Sequence, residues 1–409
     1  MWKPFLARSL RSVFGGRRHA IPPCGADRIF SRAYTGQEPE AGGGREGTSR
    51  PPPRHLYVVL YAYETSGHRF HKLNLDDALE DMNDGGVSEG NGMDGAQNLR
   101  RLPEPILRIG SHRIGTRAHI HALLSNLVIT GAAYGRKGLT LVYDTDTAEL
   151  DIAEDLPDEL NSWYFDAVAA GDRLHALQVP RYFWDAPPPP ESMECQEQWT
   201  WACADRSPIP THVGATGYGM RAHALHPDGG TIFVSVDYLG CQEGQDTFSL
   251  DTESGDWTHR GNWRLPFDGL GHYDGDLEAW VGVVSGTAGC KYLCSCDVPD
   301  LAHGSTPPPA WKLGEEKLTF LEEPLMDGGH APMLVHTGHG RFCLAESALL
   351  KAADTDDDTT TFSYILRATM FRPKYGKNGE LVVAAAPRSG RSYEIPSDTT
   401  SLLGPAFWI

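Results

Sequence analysis

Long apolar runs are missing from this chain: no stretch approaches the roughly 20 residues that a membrane-spanning helix needs. Helical periodicity is nearly absent beyond residue 20, which excludes a helical bundle and leaves strands to build the core. Basic charge is scarce, with 36 Lys and Arg against 54 Asp and Glu for a formal charge of −18. A phosphate backbone would be repelled, so nucleic acid is not an expected partner. Cysteine is sparse as well, eight in 409 residues at irregular spacing. With no secretory apolar segment ahead of them, these read as reduced thiols in a reducing compartment. Gly-x-Ser-x-Gly, a P-loop and His-Glu-x-x-His are all absent. Gly214-Ala215-Thr216-Gly217-Tyr218-Gly219 has the outline of a dinucleotide loop, but no βαβ unit surrounds it, and it reads as a turn between repeats.

Turn formers and strand formers are abundant, with 45 Gly and 29 Pro. The most regular stretch runs from Asp228 to Phe267. Thr231–Val236 is β-branched or aromatic at nearly every position, as a strand between two packed layers should be. Thr247–Leu250 is a second strand, Asp251-Thr252-Glu253-Ser254-Gly255-Asp256 a tight polar turn, and Trp257 opens a third strand. This is most of a propeller blade of the kelch kind. The pattern recurs: Leu141-Val142-Tyr143-Asp144-Thr145-Asp146-Thr147 matches Phe248-Ser249-Leu250-Asp251-Thr252-Glu253-Ser254 in residue type. Leu73-Asn74-Leu75-Asp76, Leu293–Val298 and Tyr364–Met370 are weaker copies. Asp144 to Asp251 is 107 residues and Asp251 to Asp297 is 46, close to two repeats and one at roughly 40–50 residues each. The expectation is an all-β, single kelch-like β-propeller of six blades, with seven as the alternative count. Its seam is expected where Leu56–Leu60 and Leu381–Ala385 share a blade, leaving no open edge.

The expected organisation is a basic extension and Gly/Pro-rich linker at 1–54, the propeller at 55–400 and a C-terminal tail at 401–409. Met1–Arg32 carries Lys3, Arg8, Arg11, Arg17, Arg18, Arg28 and Arg32 against the single acid Asp27. Phe5, Leu6, Leu10, Val13 and Phe14 can share one face of a short helix. Two readings follow: a presequence, mitochondrial because Arg outnumbers Ser and Thr, or a disordered basic tail on a cytosolic or nuclear protein. Residues 76–100 are acidic and Gly-rich and read as a disordered loop.

Gly261-Asn262-Trp263-Arg264-Leu265-Pro266-Phe267, Gly271-His272-Tyr273, Leu277-Glu278-Ala279-Trp280-Val281-Gly282 and Leu293-Cys294-Ser295-Cys296-Asp297-Val298 together carry a resemblance. Over roughly residues 50–400 the chain resembles a plant family expanded in grasses and catalogued as domain of unknown function 1668. The resemblance implies a kelch-like propeller and brings no catalytic residues. Residues 1–54 hold no Leu-Pro-rich helical box of the sort that precedes kelch regions behind F-boxes.

Candidate chemistry is thin. His119 and His121 project from one face of a strand and could share a metal with His68 and His71, against the plainer reading of two polar positions on a solvated face. Cys290, Cys294, Cys296 and Cys241 lack zinc-knuckle spacing, and Cys195 and Cys203 bracket Trp199 and Trp201; all read as buried free thiols. The ten Trp, Trp163, Trp184, Trp257, Trp263, Trp280 and Trp311 among them, read as core before they read as a sugar platform. No catalytic, cofactor-binding or metal-binding residue is assigned and no cofactor is expected. The expected function is a non-catalytic, monomeric protein-interaction scaffold without a membrane span. The alternative is a small-ligand or carbohydrate-processing enzyme using the mouth of the central channel.

Overall fold

The computed structural model describes residues 27–32, 54–62, 67–76, 78, 99–115, 118–131, 137–157, 165–178, 199–204, 217–239, 244–286, 291–318, 332–351, 362–383, 389–395 and 401–409. Residues 77 and 79–98 of the acidic stretch, the amphipathic start, Cys195, Cys241, Cys290 and Trp184 lie outside them; the ends of the stretch expected as a disordered loop are ordered, with Ala78 buried in a core and Leu99–Arg101 a strand. The stretch around Thr231 shows how its composition becomes structure. Ile232, Val234 and Val236 bury on one side of their strand with Tyr238, Phe248 and Leu250. Phe233 buries on the other with Trp263, Leu265, Phe267 and Trp280. Alternation of side chains across a strand sends them to opposite faces, so a strand apolar at every position needs a packed layer on each side.

Four-stranded antiparallel sheets recur along the chain. β1 (Asp27–Arg32) stands ahead of the first sheet, which contains β2 (Leu56–Ala62), β3 (Gly67–Leu73) and β5 (Leu107–Gly110), with β4 (Leu99–Arg101) between the last two in sequence. The final strand of the chain, β27 (Ser401–Trp408), completes that sheet in the order β27-β2-β3-β5. The second sheet is a meander of β6 (His119–Leu123), β7 (Asn126–Gly131), β8 (Leu139–Asp144) and β9 (Leu150–Ile152). The third holds β10 (Phe165–Ala170), β11 (Arg173–Gln178) and β12 (Trp199–Ala204), with β1 running between β11 and β12. The fourth is β13 (Gly217–Leu225), β14 (Thr231–Leu239), β15 (Gln245–Asp251) and β16 (Trp257–Gly261). The fifth is β17 (Asp268–Asp274), β18 (Ala279–Ser285), β19 (Lys291–Asp297) and β20 (Trp311–Lys317). The sixth is β21 (Met333–Gly338), β22 (Arg341–Lys351), β23 (Phe362–Phe371) and β26 (Ser389–Ile395), with β4 added in parallel on its outer edge. β13 pairs in parallel with β17, linking the fourth and fifth sheets. A hairpin of β24 (Pro373–Tyr375) and β25 (Leu381–Val383) extends the edge of β20.

The apolar cores lie between successive sheets. Tyr57, Val59 and Phe70 pack against Ile120, Leu127, Ile129 and Leu141. Val128 and Val142 pack against Leu174, and Val168 and Leu177 against Ile232 and Val234. Phe233 and Ala224 meet Trp280, Cys294 and Cys296. Val281 and Leu293 meet Phe342, Leu344 and Phe371. The sixth sheet, through Cys343, Ala345, Leu366 and Ala368, packs on Leu56, Val58, Leu60 and Leu403 of the first. The first strands follow the same cyclic order: β6 lies against β10, β10 against β13, β13 against β17, β17 against β21, β21 against β27 and β27 against β6.

Turn chemistry repeats with the sequence. Asp144 accepts hydrogen bonds from the backbone N–H of Asp146 and Thr147, and Thr145 donates its hydroxyl to the Ser125 carbonyl. Asp251 does the same for Glu253 and Ser254, and Thr252 donates to the Gly230 carbonyl. Each Asp-Thr pair thus closes its own turn and ties it to the preceding one.

Three boundaries differ from the sequence reading. The supposed tail is β27, paired with β2 from Leu56↔Trp408 to Ala62↔Ser401. Gly404-Pro405 falls where the register shifts between Val58 and Leu60, and a bulge is where a strand tolerates a proline. Leu381–Val383 does not join Leu56–Leu60; it pairs with β24 and touches β20 through Gly314↔Leu381. And the N-terminal extension contributes a strand, β1.

Trp263 and Trp280 are buried, and their indole N–H groups reach the carbonyls of Thr306 and Leu225 at 2.8 and 2.9 Å. Trp257, heading the outermost strand of its sheet, is only partly buried, and Trp311 is exposed. Trp263→Ala and Trp280→Ala are expected to cost about 3–5 kcal/mol each, whereas Trp311→Ala should stay within about 0.5 kcal/mol. Chemical denaturation of the three variants measures the difference, and equal midpoints would contradict this packing.

Candidate functional site

The first strands of successive sheets, which lie against one another, carry a set of imidazoles: His121 on β6, His223 on β13, His272 on β17 and His336 on β21, with Asp166 on β10. His223 Nδ1 stands 3.7 Å from Asp166 Oδ2. His272 Nε2 donates to the Leu334 carbonyl at 3.0 Å. The His272 and His336 rings lie 6.3 Å apart, and His336 leans on Phe342 at 4.8 Å. His336 Nε2 is 3.5 Å from Oδ2 of the fully buried Asp274.

Burial pushes His121 down to about 4; Asp166 opposes the shift, while His119 and His223 add to it. His272 falls to about 4 for the same leading reason, reinforced by His336 and His223 and opposed by the Leu334 carbonyl. Both side chains nevertheless keep part of their surface accessible. Asp274 is pulled up by burial, but its contact with His336 and the N–H groups of Leu277 and Asp276 outweigh this and hold it below the usual carboxylate range. At neutral pH, therefore, His121 and His272 are uncharged imidazoles, each able to offer one donor and one acceptor.

The metal reading of His119 and His121 is not assembled with its proposed partners. His68 Nε2 is held by the Gly115 carbonyl at 3.3 Å, and His71 Nδ1 by the Pro103 carbonyl at 2.8 Å. Among the described residues no group of three His, Cys, Asp or Glu could hold a metal ion. Cys294 and Cys296 lie on one face of β19 in the core between the fourth and fifth sheets, as free thiols. Burial pushes Cys294 up to about 12 and raises Cys296 further, and it pushes Cys343 up to about 12 in the next core but one. Such thiols are protonated at neutral pH and are not nucleophiles. Gly214–Thr216 lie outside the described residues, and Gly217 already begins β13.

Sequence reasoning missed His223, His272 and His336. They are isolated histidines in strands, more than 40 residues apart in sequence, and only the packing of successive first strands brings them near one another. It also missed the buried carboxylate of Asp246, which accepts from the Tyr238 hydroxyl at 2.8 Å and the Asn262 amide at 2.6 Å, with His259 Nε2 at 3.0 Å. That network ties the ends of β14, β15 and β16 together and is structural.

All-β construction from successive four-stranded sheets gives this chain a β-propeller-like architecture. It belongs to the family described as Protein of unknown function (DUF1668), whose model matches residues 53–390. No curated protein matches the sequence. Among solved structures it is similar at 10% identity to TolB from Acinetobacter baumannii, with a TM-score of 0.29 over 87% of this chain and 66% of that one. A structure from a study of two prolyl endopeptidases is matched at 10% identity and a TM-score of 0.31, over 83% of this chain and 50% of that one. The chain therefore spans about two thirds and one half of those two proteins.

Proposed function

We propose that the sheets close into one six-bladed, kelch-like β-propeller, and that the protein is a monomeric, non-catalytic scaffold that docks a protein partner. The cyclic order of the inter-sheet cores supports the ring. One observation carries the scaffold reading: large apolar side chains stand exposed on the fourth strands of two sheets, Leu150 and Ile152 on the edge strand β9 and Trp311 and Leu313 on β20, beside the β24–β25 hairpin. Exposed apolar side chains at sheet edges are what protein partners cover. The protonated state of the described core thiols fits a molecule without covalent chemistry.

The uncharged imidazole line favours a second reading, a small polar ligand held at the channel. We also assign the basic start of the chain to mitochondrial targeting. One experiment addresses all three. The full chain, tagged after Ile409, is expressed in cells, located by fluorescence and used as bait. Mitochondrial signal is expected, together with a partner that is lost from the Leu150→Ser/Ile152→Ser/Trp311→Ser/Leu313→Ser variant and kept by His272→Gln. A partner kept by the edge variant and lost by His272→Gln would move the assignment to the channel, and no partner for any variant would remove the scaffold reading. Diffuse cytosolic and nuclear signal would overturn the targeting assignment.

A further inference from the structure

The third sheet is built from two distant parts of the chain. β10 and β11 form a hairpin around Gly171, whose φ of +59° suits a tight turn. β12 is the last strand of the sheet, and between β11 and β12 runs β1. It is antiparallel to both, with Arg28 opposite Ala176 on one side and Cys203 on the other, and Phe30 opposite Leu174 and Trp201. In the second, fourth and fifth sheets this third position is filled by the strand that comes next in sequence. Here the residues between β11 and β12 include Pro180 and the run Pro187–Pro190. An interior strand sends its N–H groups to neighbours on both sides, and proline has none to send. The stretch that chain order would use for the third strand is therefore chemically unsuited to the place, and a segment more than 140 residues upstream takes it.

We propose that Asp27–Arg32 is a donor strand supplied in cis, and that the gap between β11 and β12 is a slot that accepts an extended segment of this sequence. β11 is buried from Leu174 to Leu177, so an empty slot would leave its backbone groups, and those facing them on β12, without partners in a packed region. Filling such a gap with a free strand is a known mode of recognition, in which main-chain hydrogen bonds supply the affinity. This inference does not depend on the scaffold reading. It divides the basic extension into a segment before Asp27 and a structural strand, so any processing compatible with the fold must cut before residue 27.

The test uses truncation and complementation. The chain lacking 1–26 is expected to melt with the full protein. The chain lacking 1–35 should melt lower by about 5 °C or more, and a synthetic peptide of residues 25–34 should bind it one to one and restore the midpoint. The same peptide with Ile29→Pro should do neither. If the shorter chain does not fold, a protease site placed at Gly42–Gly44 of the full chain gives the answer after folding. The cut N-terminal fragment should then co-elute with the body on gel filtration and exchange with an excess of labelled 25–34 peptide. Equal melting of both truncations with no peptide binding, rescue by the Ile29→Pro peptide, or loss of the cut fragment on dilution would each overturn the proposal.

Discussion

Lowering the pH from 7 to 4.5 is expected to lower the melting temperature steeply, with the loss starting near pH 6.5. Burial holds His121, His175 and His272 at about 4, each against an unfolded value of 6.5. Between these values the unfolded chain binds more protons than the folded one. Stability therefore rises with pH across this window, is complete above about 6.5, and is lost as pH falls toward 4. At pH near 5 the three imidazoles alone take up between about two and three protons on unfolding, a slope of roughly 3–4 kcal/mol per pH unit. Summed to pH 4 the loss is about 9 kcal/mol, a large share of the roughly 5–15 kcal/mol available to a domain. His55, His68 and His71 are lowered as well, each chiefly by burial, and add in the same direction. Asp228, Asp268 and Asp274 are held below their usual range by hydrogen bonds, so they act only at still lower pH. Calorimetry across pH 7 to 4.5 measures the slope, and His175→Gln should flatten it by up to about one third, and by less to the extent that His55, His68 and His71 contribute. A melting temperature unchanged over this interval would show that these rings are solvated.

Deleting 401–409 is expected to abolish cooperative folding. The segment is β27, and it fills three roles at once. Its backbone pairs with β2, and beyond the strand His55 and Ile409 exchange N–H···O bonds at 2.7 and 3.1 Å. Leu403 and Ala406 bury in the core between the sixth and first sheets. Phe407 and Ile409 pack on the core between the first and second. Losing β27 would leave one edge of β2 unpaired and open two cores to water, a combined cost that exceeds single core truncations of about 2–5 kcal/mol each. Circular dichroism and a urea titration test this, and a deletion variant that unfolds with the parent's midpoint would refute it. Gly404→Val is the subtler test. A Cβ there would stand 3.1 Å from the Val59 carbonyl oxygen and 3.3 Å from its Cβ. The strand must shift to admit a branched side chain, and a loss of about 1–3 kcal/mol is expected.

Much of the architecture was legible in local residue patterns. β-branched runs bounded by Gly and Asp turns marked β14 and β15: Thr231–Val236 opens where β14 does and stops three residues short of its end, and Thr247–Leu250 lies within β15, because strand pattern and turn chemistry are both short-range properties. The Asp144-Thr145 and Asp251-Thr252 repeats pointed to a repeated hairpin, and the two turns carry the same hydrogen bonds. Cys294 and Cys296 on one face of a strand, and Trp263 in the core, follow from the same alternation. What local pattern does not encode is which distant strands pair. Residues 401–409 read as a tail because no local pattern names β2, some 340 residues upstream, as their partner. Asp27–Arg32 lies in a basic extension and becomes a strand only because β11 and β12 leave a gap that the prolines between them cannot fill. The grouping of His121, His223, His272 and His336 on neighbouring first strands has no signature in the sequence. Each residue is an ordinary histidine in a strand; burial is what lowers His121 and His272, and packing of the first strands is what brings the four near one another.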